Sequence, residues 1–232
     1  MTFRPLVITA MLFAPVAGMT TAGTNAVVQL PNLTFEKTDQ DAYPAHTLAS
    51  QAGPTATEAF IANNPDIPLP PDLAADGSYL TNTVTATLRG TVEGVRAHFE
   101  ENPVTDFTVP TESIPAIEDI TYLAGTWPDP GALRRVDLAN GHSVHEQVFV
   151  NTNTRFVYQI WNITAPAGRA INHIKGEFNF DQQGDDVKIT WDYNVKPRAF
   201  FVRPAIRTFL EEDFGPFMQA GLTGTVNAYA SR

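Results

Sequence analysis

The sequence predicts an α+β domain in which an antiparallel meander of strands is closed by a terminal helical segment. Three observations lead there. Six segments with strand-like character, 117–124, 133–139, 144–150, 155–163, 171–180 and 187–195, follow one another along the chain. Turn formers separate them, among them Pro128-Asp129-Pro130-Gly131, Asn140-Gly141 and the 181–186 stretch, and short links between sequential strands make antiparallel neighbours. Beyond the last strand, Ile206, Phe209, Leu210, Phe217, Leu222, Val226 and Tyr229 recur at helical spacing, with Gly215-Pro216 as a break or kink. An apolar closing helix and a half-apolar sheet cover each other most simply by packing together.

The elements follow in order. Residues 1–26 carry one early positive charge, Arg4, an apolar run too short to span a bilayer, and then small residues, which is the layout of a secretory signal peptide. Residues 27–78 are rich in proline and carboxylates and read as an extended acidic arm or linker with one short turn near 55–62. From Tyr79 threonines alternate with Val84, Ala86 and Leu88, the period of a half-buried strand. Thr91 then caps a helix whose Val92, Val95 and Phe99 share one face, with His98 as a half-exposed neighbour, and Pro103 ends it. The domain proper is 79–232.

The last hairpin shows its facing most clearly. Val187, Ile189, Trp191, Tyr193 and Val195 alternate with Lys188, Thr190, Asp192 and Asn194, so the first set turns inward. Ile174, Gly176, Phe178 and Phe180 do the same in the preceding strand, which turns His173 outward. Pairing Phe180 with Val187 sets Gly176 opposite Trp191, and the glycine leaves room above the sheet for the indole or a ligand.

Composition excludes several chemistries. The 232 residues contain no cysteine, so disulfides, thiolate ligands and cysteine nucleophiles are absent. Lys+Arg number 15 against 25 Asp+Glu, with no basic stripe of the kind that tracks a phosphate backbone, so nucleic acid is not an expected partner. His142, His145 and Glu146 imitate zinc spacing in letters only, because that motif works on a helix and a strand sends i and i+3 to opposite faces. The 181–186 cluster reads as a solvated hairpin tip rather than a calcium loop. No metal and no cofactor is expected.

Glu146 shares a face with Val148 and Val150 and is a candidate inward carboxylate. An even-length turn at 151–154 would bring Val157, Gln159 and Trp161 to the same face. A buried carboxylate needs a partner. Arg134, on the face of Val136 and Leu138, is the nearest, but a two-residue Asn-Gly turn sends it to the opposite side. A three-residue turn with a glycine bulge restores both to one face.

The run GTWPDPGALRRVDLANGHSVHEQVFVNTNTRFVYQIWN, followed by a glycine-punctuated strand, GDDVKITWDYNV and a long terminal helix, resembles the START-like, or SRPBCC, superfamily, especially its bacterial polyketide cyclase/dehydrase-like branch. The similarity spans 79–231. It implies a helix-grip fold, a curved antiparallel sheet of six to seven strands wrapped around a long C-terminal helix and enclosing a cavity. It also places Arg134 and Glu146 at positions that line that cavity. The chain departs from the pattern in its long 102–115 loop, which lacks a tryptophan often found there, and in the extra proline-rich arm.

The expected function is binding of a small hydrophobic or aromatic molecule, lipid- or polyketide-like, in the internal cavity, as carrier or sensor. Trp161, Phe178, Trp191 and Tyr193 would supply apolar area, while Arg134, Glu146 and Gln159 orient a polar end. The alternative is a cyclase/dehydratase-type acid/base enzyme in the same cavity, with Glu146 exchanging a proton and Arg134 stabilising an oxyanion. A third reading makes the arm a docking element for a partner. The signal-like start places the protein in the bacterial periplasm or outside the cell, without stable membrane insertion.

Overall fold

The computed structural model describes residues 55–111 and 113–231. The signal-like segment 1–26 and the first part of the arm, 27–54, lie outside the described residues. The chain runs α1 (Ala56–Ala62), β1 (Leu80–Arg89), α2 (Val92–Glu101), β2 (Ile117–Ala124), β3 (Leu133–Leu138), β4 (Ser143–Asn151), β5 (Arg155–Trp161), β6 (Ile171–Gln183) and β7 (Asp186–Pro197). It closes with α3 (Arg203–Phe209), a π-helical turn (Leu210–Phe214) and α4 (Gly215–Ala230).

The seven strands form one antiparallel sheet in the order β1-β7-β6-β5-β4-β3-β2. Strands β2 to β7 are the expected meander, and β1 closes onto β7 with Leu80 opposite Val195 and Leu88 opposite Val187. Period-two alternation puts Leu80, Val84, Leu88, Phe156, Tyr158, Ile160, Phe178, Phe180, Trp191 and Tyr193 in one buried cluster. Ile206, Phe209, Leu210, Phe214, Phe217, Met218 and Leu222 from the terminal helical stretch complete it. Burying each large apolar side chain stabilises the fold by about 1.5–3 kcal/mol, and this shared interior holds helix to sheet.

Local chemistry sets the boundaries. Thr55 and Glu58 form a reciprocal capping box that starts α1, with the Thr55 N–H donating to Glu58 Oε2 at 2.7 Å. Thr91 accepts from the Gly94 N–H at 3.2 Å and starts α2. Gly221 of α4 brings the Val104–Phe107 turn against the helix backbone, where an added Cβ would lie 2.8 Å from the Val104 carbonyl oxygen. His98 departs from its expected half-exposed place. It is fully buried, with Nε2 2.7 Å from the Thr225 carbonyl oxygen, because α4 packs over the side of α2 that bare periodicity leaves open.

The 55–79 segment lies across the outer face of the sheet, where Ile61 clusters with Leu133 and Trp161. The Gln159 side chain donates to the Pro71 carbonyl at 2.7 Å, and the Trp161 indole donates to the Pro68 carbonyl at 3.0 Å. Proline-rich chain has carbonyls left over for this purpose, since it cannot satisfy them in a helix or ladder.

Candidate functional site

Arg134 on β3 and Glu146 on β4 are direct cross-strand partners. The loop between the strands has three residues, Ala139-Asn140-Gly141, with Gly141 at φ +79° and the His142 N–H donating to Asn140 Oδ1 at 3.2 Å. This is the bulged alternative of the two turns the sequence allows, and it puts both side chains on the inner face. Arg134 donates to Glu146 Oε2 from Nε at 2.6 Å and lies 2.5 Å from it through Nη2. The two side chains are 1 % and 0 % exposed. The guanidinium also lies over the Trp127 ring, 3.8 Å from its centroid.

This pair leaves two polar atoms over. Arg134 Nη1 and Glu146 Oε1 are buried without a hydrogen-bond partner. Burial pushes the Glu146 carboxyl up, and the adjacent Arg134 charge and hydrogen bond pull it down. The Tyr158 and Tyr193 hydroxyls stand well above the ordinary phenol range, chiefly through burial and then through neighbouring charge including that of Glu146. Both are therefore neutral. The Tyr158 hydroxyl and the Trp191 indole N–H approach one another without a well-aligned hydrogen bond. The interior thus combines an aromatic wall with polar atoms that have unused capacity.

Phe178, Trp191 and Tyr193 face this interior as the alternation predicts. The Phe178 and Trp191 rings stack at 5.0 Å, and Tyr193 meets Phe214 at 4.2 Å. Gln159 and Trp161 do not join them. Near the turn Val150 pairs with Val157, but a bulge at Phe149 shifts the register, so Val148 pairs with Tyr158 and Glu146 with Ile160. One extra residue inverts every facing beyond it, which sends Gln159 and Trp161 outward beneath the 55–79 segment.

The β6–β7 register also differs from the expected one by two residues. A two-residue Gly184-Asp185 turn, with Gly184 at φ +65°, pairs Phe178 with Trp191 and Gly176 with Tyr193. An even shift leaves the facings intact. The room above Gly176 is taken by the Tyr158 ring, which a Cβ at that position would overlap. Gly176→Ala is accordingly expected to destabilise the protein by about 1–3 kcal/mol through overpacking, measured as a lower denaturant midpoint. An unchanged midpoint would mean that the ring has other room.

Two spaces lie near the interior, and neither is lined by Arg134 or Glu146. A void of about 10 Å³, room for one water at most, lies among Arg96, Phe99, Val104 and Phe178. A groove of about 270 Å³ opens at the end of the sheet, lined by Thr105, Asp106, Thr108, Pro110, Ile117 and Phe217. Phe217 stacks on Phe214 at 5.7 Å, and Phe214 packs on Tyr193, so a row of three rings runs from the groove to Tyr193. Phe214 ends the π-helical turn, a distortion that often accompanies functional sites. Phe217 is among the residues named from helical spacing and Phe214 is not, although it follows Leu210 by four residues and precedes Phe217 by three; Trp127 sits in a loop with no repeat at all.

On the outer face His173 lies beneath Tyr79, with the Tyr79 hydroxyl 2.8 Å from Nε2. Burial, followed by the charges of Lys196 and Lys175, lowers its pKa from 6.5 to about 4. The unfolded chain therefore binds more protons between those values, and stability falls as pH drops from about 6.5 toward 4. His173→Gln is expected to flatten that part of the stability-against-pH curve. An identical curve in the variant would assign the loss to other groups.

No protein-family model and no curated protein matches the chain. Solved structures similar to it include an aromatase/cyclase from Streptomyces sp. R1128, at 13 % identity and TM-score 0.47 over 66 % of this chain and 96 % of that one. A START superfamily protein from Mycobacterium smegmatis has 12 % identity and TM-score 0.47, over 64 % and 98 %. A protein from Bacillus thuringiensis has 17 % identity and TM-score 0.43, over 65 % and 99 %. The seven-stranded antiparallel sheet packed around a C-terminal helix is a helix-grip arrangement.

Proposed function

We propose that the protein binds a small hydrophobic or aromatic molecule, lipid- or polyketide-like, between the sheet and α4, as a carrier or sensor. The observation that carries this reading is the pair of buried, unpartnered atoms Arg134 Nη1 and Glu146 Oε1 beside an aromatic wall. A core built only for stability gains nothing from such atoms, since each buried unsatisfied polar group costs about 1–3 kcal/mol. A ligand with one polar end offers the missing partner. The groove at Phe217 is the access route, and displacement of the Phe217 and Phe214 rings opens it.

The test is incubation of the purified protein with a membrane-lipid extract and an aromatic polyketide extract, followed by native mass spectrometry of what is retained. Retention of one chemical class, reduced when Arg134 is changed to Lys and the planar guanidinium with its spare Nη1 is lost, supports the reading. Retention of nothing from either extract rejects it. The signal-like N-terminus makes the periplasm or the exterior the proposed location, which a fusion to an export-dependent reporter would check.

A second reading, an acid/base enzyme of the cyclase/dehydratase type, is favoured by one feature. Glu146 presents a free, buried oxygen on a carboxyl that burial pushes toward higher pKa. Turnover abolished in Glu146→Gln with ligand retention intact would select this reading over simple carriage.

A further inference from the structure

Between the end of β7 and the close of α3 the chain reads KPRAFFVRPAIR, four basic residues and no acidic one within a protein of net charge −10. At its centre Phe200 and Phe201 are 83 % and 71 % exposed, the two most exposed large apolar side chains among the described residues. Their rings meet edge to face at 5.8 Å. Folding gives no reason to leave this apolar area in water, and a contiguous exposed patch of this kind marks an interaction site.

The tip is held on a firm base. The Arg198 N–H donates to the Ala170 carbonyl at 2.8 Å and its Nε donates to the Gly168 carbonyl at 3.0 Å. Arg203 Nη1 donates to the Ser78 carbonyl at 3.3 Å. Exposed Arg169 stands beside Gly168, and exposed Arg207 lies one turn beyond Arg203. Asp192, four residues before Lys196, is engaged by the Thr83 hydroxyl, Glu211, Glu212 and Asp213 begin after α3 ends, and Asp76, two residues from Ser78, is engaged by Lys175 at 3.1 Å.

We propose that the Phe200–Phe201 tip docks the protein on the surface of an anionic lipid bilayer. The two rings enter the boundary between headgroups and acyl chains, and Lys196, Arg169, Arg198 and Arg207 meet the lipid phosphates. Paired exposed aromatics flanked by cations have the chemistry of that boundary, apolar below and anionic above. An acidic protein is repelled from such a surface everywhere else, so this basic segment sets the orientation. The docking is peripheral, since no helix of the described residues is long and apolar enough to cross a membrane. The inference is independent of the internal-ligand reading.

The experiment uses the purified protein and sedimentation with vesicles of phosphatidylcholine alone or with about 30 % phosphatidylglycerol. Association with the anionic vesicles that weakens as salt rises is expected. The double variant Phe200→Ala/Phe201→Ala should bind at least about tenfold more weakly with an unchanged unfolding midpoint. Arg207→Gln should weaken binding about fivefold. Phe200→Trp should show a blue-shifted emission on vesicle addition. The proposal is overturned if the unaltered protein ignores anionic vesicles or if the double alanine variant binds as well as its parent. It is equally overturned if the aromatic pair instead drives self-association in the absence of lipid, which would make the tip an interface between copies of this chain.

Discussion

Glu146→Gln is expected to destabilise the protein by about 3–5 kcal/mol, because it leaves the Arg134 charge buried and without a counter-charge. The amide keeps the size of the carboxyl, so packing does not explain the loss. Arg134→Met should cost less, since a lone buried carboxyl escapes its own desolvation by taking up a proton. The double variant Arg134→Met/Glu146→Leu should recover most of the stability or exceed it, as apolar replacement of buried ion pairs commonly does. Denaturant midpoints for the three variants test this order. If Glu146→Gln falls within about 0.5 kcal/mol of the parent, the pair is wetter than the structure shows and the site loses its low-dielectric character. Recovery in the double variant together with loss of ligand retention would show that the pair is kept for recognition rather than for folding.

Phe214→Ala is the second large effect. The ring is fully buried between Tyr193, Phe209 and Phe217, so removing it is expected to cost about 3–5 kcal/mol in transfer and cavity energy. It also removes the ring that packs between Phe217 at the groove and Tyr193 on β7. Uptake of an apolar fluorescent probe should therefore become faster and greater in the variant at a temperature where both proteins remain folded. Equal uptake would place the access route elsewhere, while reduced uptake would mean that Phe214 belongs to the wall the ligand touches.

How legible the molecule is in its sequence depends on the range of the interaction concerned. The meander and its closing helix follow from side-chain period and turn chemistry, which act over a few residues. The β6–β7 hairpin shows how robust such signals are. Its register moves by two residues when Gly184-Asp185 forms the turn, and Phe178, Trp191 and Tyr193 still face inward because two is the period of a strand. The neighbouring hairpin shows where they fail. A bulge at Phe149, silent in composition, sends Gln159 and Trp161 to the opposite face. His98 is similar, because only α4, more than a hundred residues away, makes its surroundings a core.

By itself the sequence determined the α+β class, the antiparallel meander, the apolar closing helix, the inward aromatic row and the absence of cysteine chemistry. Only the tertiary structure decided which of two turns joins β3 to β4, and with it that Arg134 and Glu146 meet in the interior. It also decided that the 55–79 segment covers the outer face and that the Tyr158 ring takes the room above Gly176. The physical reason is that pattern and propensity report local preference, whereas bulges, burial and ion pairing depend on what distant segments bring to the same place.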